Sequence, residues 1–296
     1  MRNYDFDEVV EIMAKKKNKE LEPEFVRSLT NQSAYNYSVY YLKTKEKILW
    51  GALAFVIGAV AAYIFYGGIG KNSYGEPTVV THICNTVIML AAGAFAAKMF
   101  LPIRKEQILK KRKKNLRVQF VALLDSLSVS FSTGMNAPGA FETALNDLRV
   151  QYKEDSYIVQ EVQMIVDGNN MNIPIEEMLG DFGKRSGIRD IESFGQIFET
   201  VYRQGGDMKD IVRATHEIIS SKTQIEMEIE TMVASNKNEQ KIMLVMPFMI
   251  IGMIKLMGGD FAANFTTPSG LIFTTIGVFL FIISYYIGKV VLNIEV

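Results

Sequence analysis

The stretch GDFGKRSG (180–187) is the nearest thing in this chain to a phosphate-binding loop. A working loop reads G-x-x-x-x-G-K-[ST], so that backbone N–H groups cradle the phosphates and the hydroxyl meets Mg²⁺. Here only Asp181 and Phe182 separate Gly180 from Gly183, and Arg185 stands where the hydroxyl residue belongs. No nucleotide site is expected, so any ATP is hydrolysed by a partner. Metal and Cys–His chemistry find equally little support. The chain has two histidines, His82 and His216, a single cysteine, Cys84, and no HExxH, so neither a ligand set nor a disulfide can be assembled from sequence. The carboxylates Glu176 and Glu177 stand at a predicted helix start, where the helix dipole accounts for them without acid–base work. No catalytic residue, cofactor or metal is expected.

The elements that would carry such residues come in two kinds. From Ile48 to Gly70 there are 23 residues without a charge, and from Thr78 to Ala97 another 20. Ile242–Gly259 contains one charge, Lys255, and an uncharged run extends from Phe261 to Gly288, with Pro268 and Gly270 marking its start. Each is long enough to cross about 30 Å of hydrocarbon as a helix. The reading is four transmembrane helices in two hairpins: residues 48–102 hold the first, 242–296 the second with a short tail. Lys43, Lys45 and Lys47 precede the first span, and RKEQILKKRKKNLR (104–117), with eight basic residues against one acidic, follows the second. Lys71 is the one basic residue in 71–77, and 259–269 contains none. By the positive-inside rule both termini and the middle segment are cytoplasmic. A cleaved signal peptide is not expected, since polar residues 1–47 precede the first apolar run.

Zero net charge conceals a partition. Residues 118–241 hold 20 acidic against 11 basic side chains. The basic collar at 104–117 fits anionic headgroups, at about 1 kcal/mol per Lys or Arg near the surface; no nucleic-acid partner is expected. The acidic body is either a solvated bundle surface or a docking face for a basic partner.

The middle segment, 103–241, shows helical spacing and no sustained alternation of period two, so no sheet is expected there. Val118, Val121, Leu124, Leu127 and Phe131 form one stripe; Ile191, Phe194, Ile197 and Val201 form another. Three turns punctuate it. FSTGMNAPGAF (131–141) breaks at Gly134, with Asn136 as N-cap and Pro138 in the first turn. MNIPIEEML (171–179) offers Asn172 as cap. YRQGGDMKDIV (202–212) breaks at Gly205 and restarts on Asp207, with Asp210 three residues on. Short turns between amphipathic helices give antiparallel neighbours. The fold expected is all-α, an antiparallel bundle of five or six helices beside the spans.

The order of LLDSLSVSFSTGMNAPGAFETAL, IPIEEMLGDFGKRSG and FGQIFETVYRQGGDMKDIVRATHEIISSKTQIEMEIETMVASNKNEQKIMLVMPF resembles the type II secretion system F-domain family. The likeness covers about residues 115–294 and includes Pro247 and the closing VVLNIEV. With one such domain between two pairs of spans, the chain is most similar to the Tad pilus platform proteins of the TadB and TadC kind; type II secretion and type IV pilus platforms carry two F-domains and three spans. The resemblance implies a non-catalytic platform in the cytoplasmic (inner) membrane. It also implies three partners: a hexameric secretion ATPase, pilin subunits, and a second platform protein or another copy of itself.

Candidate contacts follow. Asp207 and Asp210 are a candidate ATPase-docking face. Lys255 lies four residues from Gly259, about 6 Å at the helical rise. It can snorkel or pair with Asp260; alternatively it faces inward and meets an acidic residue of a pilin's transmembrane helix. Ala54, Gly58 and Ala62, then Ala92 and Ala96, then Ser284 and Gly288 make small-residue faces suited to helix packing within or between subunits. The amphipathic stretch 6–20 suits a helix on the membrane or on the ATPase. The competing class is a small membrane transporter or a transporter accessory subunit. The few polar residues in the spans and the absence of broken-helix pairs speak against it.

Overall fold

The computed structural model describes residues 22–70, 76–258 and 264–292; the stretch 6–20, Lys71 and Asp260 lie outside them. The described residues form eight helices and two short strands. The strands are β1 (Phe25–Arg27) and β2 (Ser33–Tyr35), followed by α1 (Thr44–Tyr66), α2 (Val79–Ser132), α3 (Ala137–Gln151) and α4 (Tyr157–Asn170). Then come α5 (Ile175–Ser186), α6 (Arg189–Gln204), α7 (Met208–Met257) and α8 (Pro268–Leu292). Four of the helices, α1, α2, α7 and α8, are long and apolar enough to cross a membrane, the signature of a multi-pass membrane protein.

Two of these helices extend far beyond the apolar runs read from the sequence. α2 continues unbroken through the basic collar for 54 residues, and α7 runs for 50. The reason is local: no glycine interrupts the chain from Ala94 to Thr133, and the Lys, Arg, Gln and Leu of the collar are good helix formers. Pro102 and Pro247 lie inside these helices, each removing one backbone hydrogen bond. α8 begins at Pro268, as expected. The hairpin β1–β2 is a feature the helical periodicity did not announce; it pairs antiparallel, with Phe25 opposite Tyr35 and Val26 opposite Ala34.

The chain divides into two compact units. One contains the residues up to Tyr41 together with Ile108–Ser221; the other contains Leu42–Gln107 and the residues from Lys222 onward. The first unit has a continuous apolar core. Ala137, Ala140, Phe141, Ala144, Leu145 and Leu148 of α3 are all buried. They recur at intervals of three and four, the spacing that aligns one face of a helix. Phe120, Phe194, Phe198 and Phe141 form a chain of tilted and edge-on ring contacts through it. On α6 the inward face is Ile191, Phe194 and Phe198, while Ile197 is 41 % exposed. The stripe through Ile197 is thereby corrected: at about 100° per residue it sits a quarter-turn off the face that Phe198 occupies.

Turn chemistry sets the helix ends. Asn136 accepts a hydrogen bond from the Gly139 N–H at 3.0 Å and caps α3 as its sequence suggests. Gly205 ends α6 at φ +67°, a conformation open to glycine and strained for most other residues. Asn172 corrects another expectation. It does not cap α5, which begins at Ile175 behind Pro174. Instead it adopts φ +64° in the turn leaving α4, where asparagine is the next best residue to glycine.

In the second unit α1 and α2 approach closely. A Cβ on Gly58 would fall 2.6 Å from the Ala96 Cβ and 3.1 Å from the Ala92 carbonyl, so only glycine fits at this separation. At the other end of the contact the Arg104 guanidinium lies 4.2 Å from the Trp50 ring centre, a cation–π contact between α1 and the first residue of the basic run on α2.

Candidate functional site

The most concentrated polar chemistry in the described residues lies inside the first unit. Glu161 projects from α4 on the same face as the buried Ile158, Val162 and Ile165, and is 1 % exposed. Its Oε1 accepts from Arg185 Nη1 at 2.8 Å and its Oε2 from Nη2 at 2.7 Å. The Tyr37 hydroxyl donates to the same Oε1 at 2.8 Å. Arg185 Nε turns to Asp181 Oδ2 at 2.6 Å, one helical turn back on α5, and Nη1 also reaches the Tyr35 carbonyl at 3.3 Å. The Tyr37 N–H donates to the Arg185 carbonyl at 3.0 Å. Two helices and the segment after β2 are therefore tied through one guanidinium.

The electrostatics follow from burial. Loss of water pushes the Glu161 carboxyl above its ordinary value, although the hydrogen bonds and charge of Arg185 pull it back. Burial, then the neighbouring Glu161 charge, raise the Tyr37 hydroxyl well above a normal phenol. Burial opposes the charge on Arg185, yet Glu161 and Asp181 outweigh it and hold the guanidinium protonated. Each Glu161 oxygen has a donor, and the cluster fastens α4, α5 and the segment after β2 to one another.

A second charged contact lies close by. Arg112 donates to Glu24 Oε1 at 3.0 Å and to the Val39 carbonyl at 3.3 Å. Its guanidinium lies 4.9 Å from the Tyr40 ring centre and 5.6 Å from that of Tyr35. One residue on, Lys113 donates to the Gly187 carbonyl at 3.0 Å, and its partial burial lowers the pKa of its ammonium. Part of the basic collar is thus engaged by the N-terminal residues of the same unit.

The residues singled out in the sequence are dispersed. Asp207 and Asp210 are both exposed at the start of α7, and Asp207 Oδ1 accepts from the Lys209 N–H at 2.9 Å. Glu176, Glu177 and Glu199 surround Arg203 at 3.5, 3.7 and 3.3 Å. His216 Nε2 lies 3.8 Å from Asp125 Oδ1, while His82 is exposed. Among the described residues no group of three His, Cys, Asp or Glu side chains could hold a metal ion. No family model, no curated protein and no solved structure matches this chain.

In the second unit Lys255 meets backbone. Its Nζ donates to the Gly67 carbonyl at 3.0 Å and the Phe65 carbonyl at 3.2 Å. These oxygens stand at the C-terminal end of α1, where carbonyls lack helical partners and the dipole favours a cation. Ala54 and Ala62 are buried on α1, on the face where Gly58 meets Ala92 and Ala96. Gly288 lies against the Gln240 amide, which donates to the Tyr285 carbonyl at 3.4 Å; Ser284 is exposed.

Sequence reasoning missed Tyr37, Glu161 and Arg185 as a set. One signal was present: an acid at 161 sits on the apolar stripe of α4, where a buried carboxylate requires a partner. Nothing local named that partner, which comes from α5 and from residues over a hundred positions away.

Proposed function

We propose that the chain is a non-catalytic platform in the cytoplasmic membrane of a Tad or type IV pilus machine, or of a type II secretion-like one. It couples a cytoplasmic hexameric ATPase to pilin assembly or to secretion. Both termini and the first unit lie on the cytoplasmic side in this reading. The charge asymmetry of the loops supports it: basic residues crowd 43–47 and 104–117, and none lies in 259–269. With no related protein identified, the reading rests on the residues themselves.

The observation that carries it is the helix–turn–helix of α6 and α7. FGQIFETVYRQGGDMKDIV resembles the F-domain pattern, and the Gly205 turn and Asp207 cap that join its two helices support the reading. Asp207 and Asp210 stand exposed beside this turn and are offered as part of the ATPase contact. The four long apolar helices support residence in the membrane. Lys255 is proposed first as a cap on α1, with a pilin contact secondary, because its ammonium already meets two carbonyls.

The test is capture from native membranes. The tagged chain is crosslinked in its own cells, purified, and its partners identified by mass spectrometry. Recovery of a hexameric secretion ATPase and pilin-like subunits is the expected result. Recovery of the chain alone or with a solute-binding protein, together with solute flux by the purified protein in liposomes, overturns the platform reading in favour of a transporter.

A further inference from the structure

The basic run 104–117 is one block of charge in the sequence, and the structure divides it. Its far half is occupied by the chain itself. Arg112 is 8 % exposed, pairs with Glu24 and lies near the Tyr35 and Tyr40 rings. Lys113 donates to the Gly187 carbonyl at 3.0 Å, and Arg117 Nε stands 3.5 Å from Asp190 Oδ2. Cations matched in this way must break charge-assisted contacts before they can meet any other anion.

The near half is built differently. Trp50, the one tryptophan of the chain, has the Phe100 ring at 6.2 Å and the Arg104 guanidinium at 4.2 Å. Phe100 and Arg104 are one turn apart on α2, so the surroundings of the indole change from apolar to charged within about 6 Å. Tryptophan is enriched where hydrocarbon gives way to headgroups, because its ring is amphipathic. Arg104 gives Nη1 to Gln107 at 3.2 Å, and its Nη2 meets no acceptor among the described residues. On α1 the exposed Lys47 precedes Trp50 by three residues, on the same side of the helix and about 4.5 Å along it.

Distance acts in the same direction. The attraction of an anionic lipid surface falls off over about a Debye length, roughly 8 Å at physiological salt. Lys47 and Arg104 lie within that reach of Trp50, whereas Arg112 follows Arg104 by eight residues of α2, about 12 Å at the helical rise. We propose that Lys47 and Arg104 select anionic phospholipid headgroups beside Trp50, and that Arg112, Lys113 and Arg117 take no part because they fasten the first unit. This selection does not depend on the platform function, since it requires only that α1 and α2 cross a membrane.

The single tryptophan reports on its own surroundings. The full chain is reconstituted in phosphatidylcholine vesicles containing, at equal mole fraction, phosphatidylglycerol or phosphatidylcholine brominated at the same acyl position, and quenching of Trp50 fluorescence is compared. Bromine quenches on contact, so the ratio of the two reads the enrichment of anionic lipid at the indole. Phosphatidylglycerol is expected to be favoured about fivefold, equivalent to about 1 kcal/mol. Lys47→Gln with Arg104→Gln should bring the ratio close to one, while Arg104→Lys, which keeps the charge, should retain most of it. Both lipids are compared within each variant, so removal of the cation beside the ring does not enter the ratio. Lys113→Gln with Arg117→Gln should leave the ratio as in wild type. Should either pair lose helix content by circular dichroism, Lys47→Gln or Lys113→Gln alone takes its place. Equal quenching by the two lipids in the wild-type chain overturns the proposal. So does a preference that survives the loss of Lys47 and Arg104, or one that falls with Lys113 and Arg117.

Discussion

Arg185 grips Glu161 through two parallel hydrogen bonds of 2.8 and 2.7 Å where both side chains are almost sealed from water. The geometry is that of a guanidinium and a carboxylate meeting fork to fork. Such a pair contributes little relative to an apolar replacement, but losing one partner leaves the other charged and buried. Arg185→Met is therefore expected to destabilise the first unit by about 3–5 kcal/mol, and Glu161→Met combined with Arg185→Met to restore much of that loss. Denaturant unfolding of the full chain in detergent, followed by circular dichroism, measures both. An Arg185→Met protein as stable as wild type removes the clasp from the account of the fold.

Tyr37 gives the clasp a pH dependence. Its hydroxyl is raised by burial and by Glu161, so the folded state binds the phenol proton more tightly than the unfolded chain does. The stabilisation is complete below the unfolded value of about 10 and is lost as pH rises from there toward the folded value. Wild type should lose stability on the alkaline side of pH 10, and Tyr37→Phe should show a shallower slope in that window. At neutral pH Tyr37→Phe is expected to cost about 1–2 kcal/mol, because Glu161 loses a donor. Parallel alkaline slopes in the two proteins would assign the transition elsewhere.

Close packing of α1 on α2 is expected to be intolerant at one glycine and indifferent at another. Gly58→Leu forces a side chain into Ala96 and the α2 backbone and should cost about 1–3 kcal/mol or more. At Gly51, where a Cβ meets nothing within 4 Å, Leu should be near neutral. The midpoints of heat-induced unfolding in one detergent compare them, and equal midpoints would mean that the α1–α2 contact contributes nothing to stability.

Lys255 replaces missing donors at the end of α1. Lys255→Met strips the Phe65 and Gly67 carbonyls of a charged donor at a dipole's negative end, a loss of about 1–2 kcal/mol. Lys255→Arg should retain most of it. Hydrogen exchange at the last turn of α1 reads the effect directly; unchanged protection in Lys255→Met would return the residue to the list of candidate partner contacts.

Much of the architecture was legible because it depends on neighbours in sequence. The four apolar helices announce themselves by length, α8 by Pro268, and the turns by Gly134, Asn136, Gly205 and Asp207, whose roles are fixed by backbone chemistry within four residues. The errors arose where a local cue has two uses. Asn172 reads equally as an N-cap and as a left-handed exit, and the helix it leaves decided. Ile197 and Phe198 are both apolar, and only the direction of the core tells which one is buried. The clasp was not legible, since joining Tyr37, Glu161 and Arg185 requires knowing which helices are neighbours.

The proposed ATPase contact must be tested with a substitution that separates charge from folding. Asp207 is exposed, yet its Oδ1 receives the Lys209 N–H at 2.9 Å, so a charge reversal there also removes a helix cap worth about 1 kcal/mol. Asparagine caps as well as aspartate does and carries no charge. Asp207→Asn with Asp210→Asn should therefore leave the unfolding midpoint within a degree or two. The same double variant should weaken binding of the cognate ATPase by about three- to tenfold, with a shallower dependence on salt. Binding of detergent-solubilised chain to the purified ATPase, titrated at two ionic strengths, supplies the measurement. Unaltered affinity in the double variant would move the contact away from the α6–α7 turn, and a lowered midpoint would show that Asp207 acts through the cap.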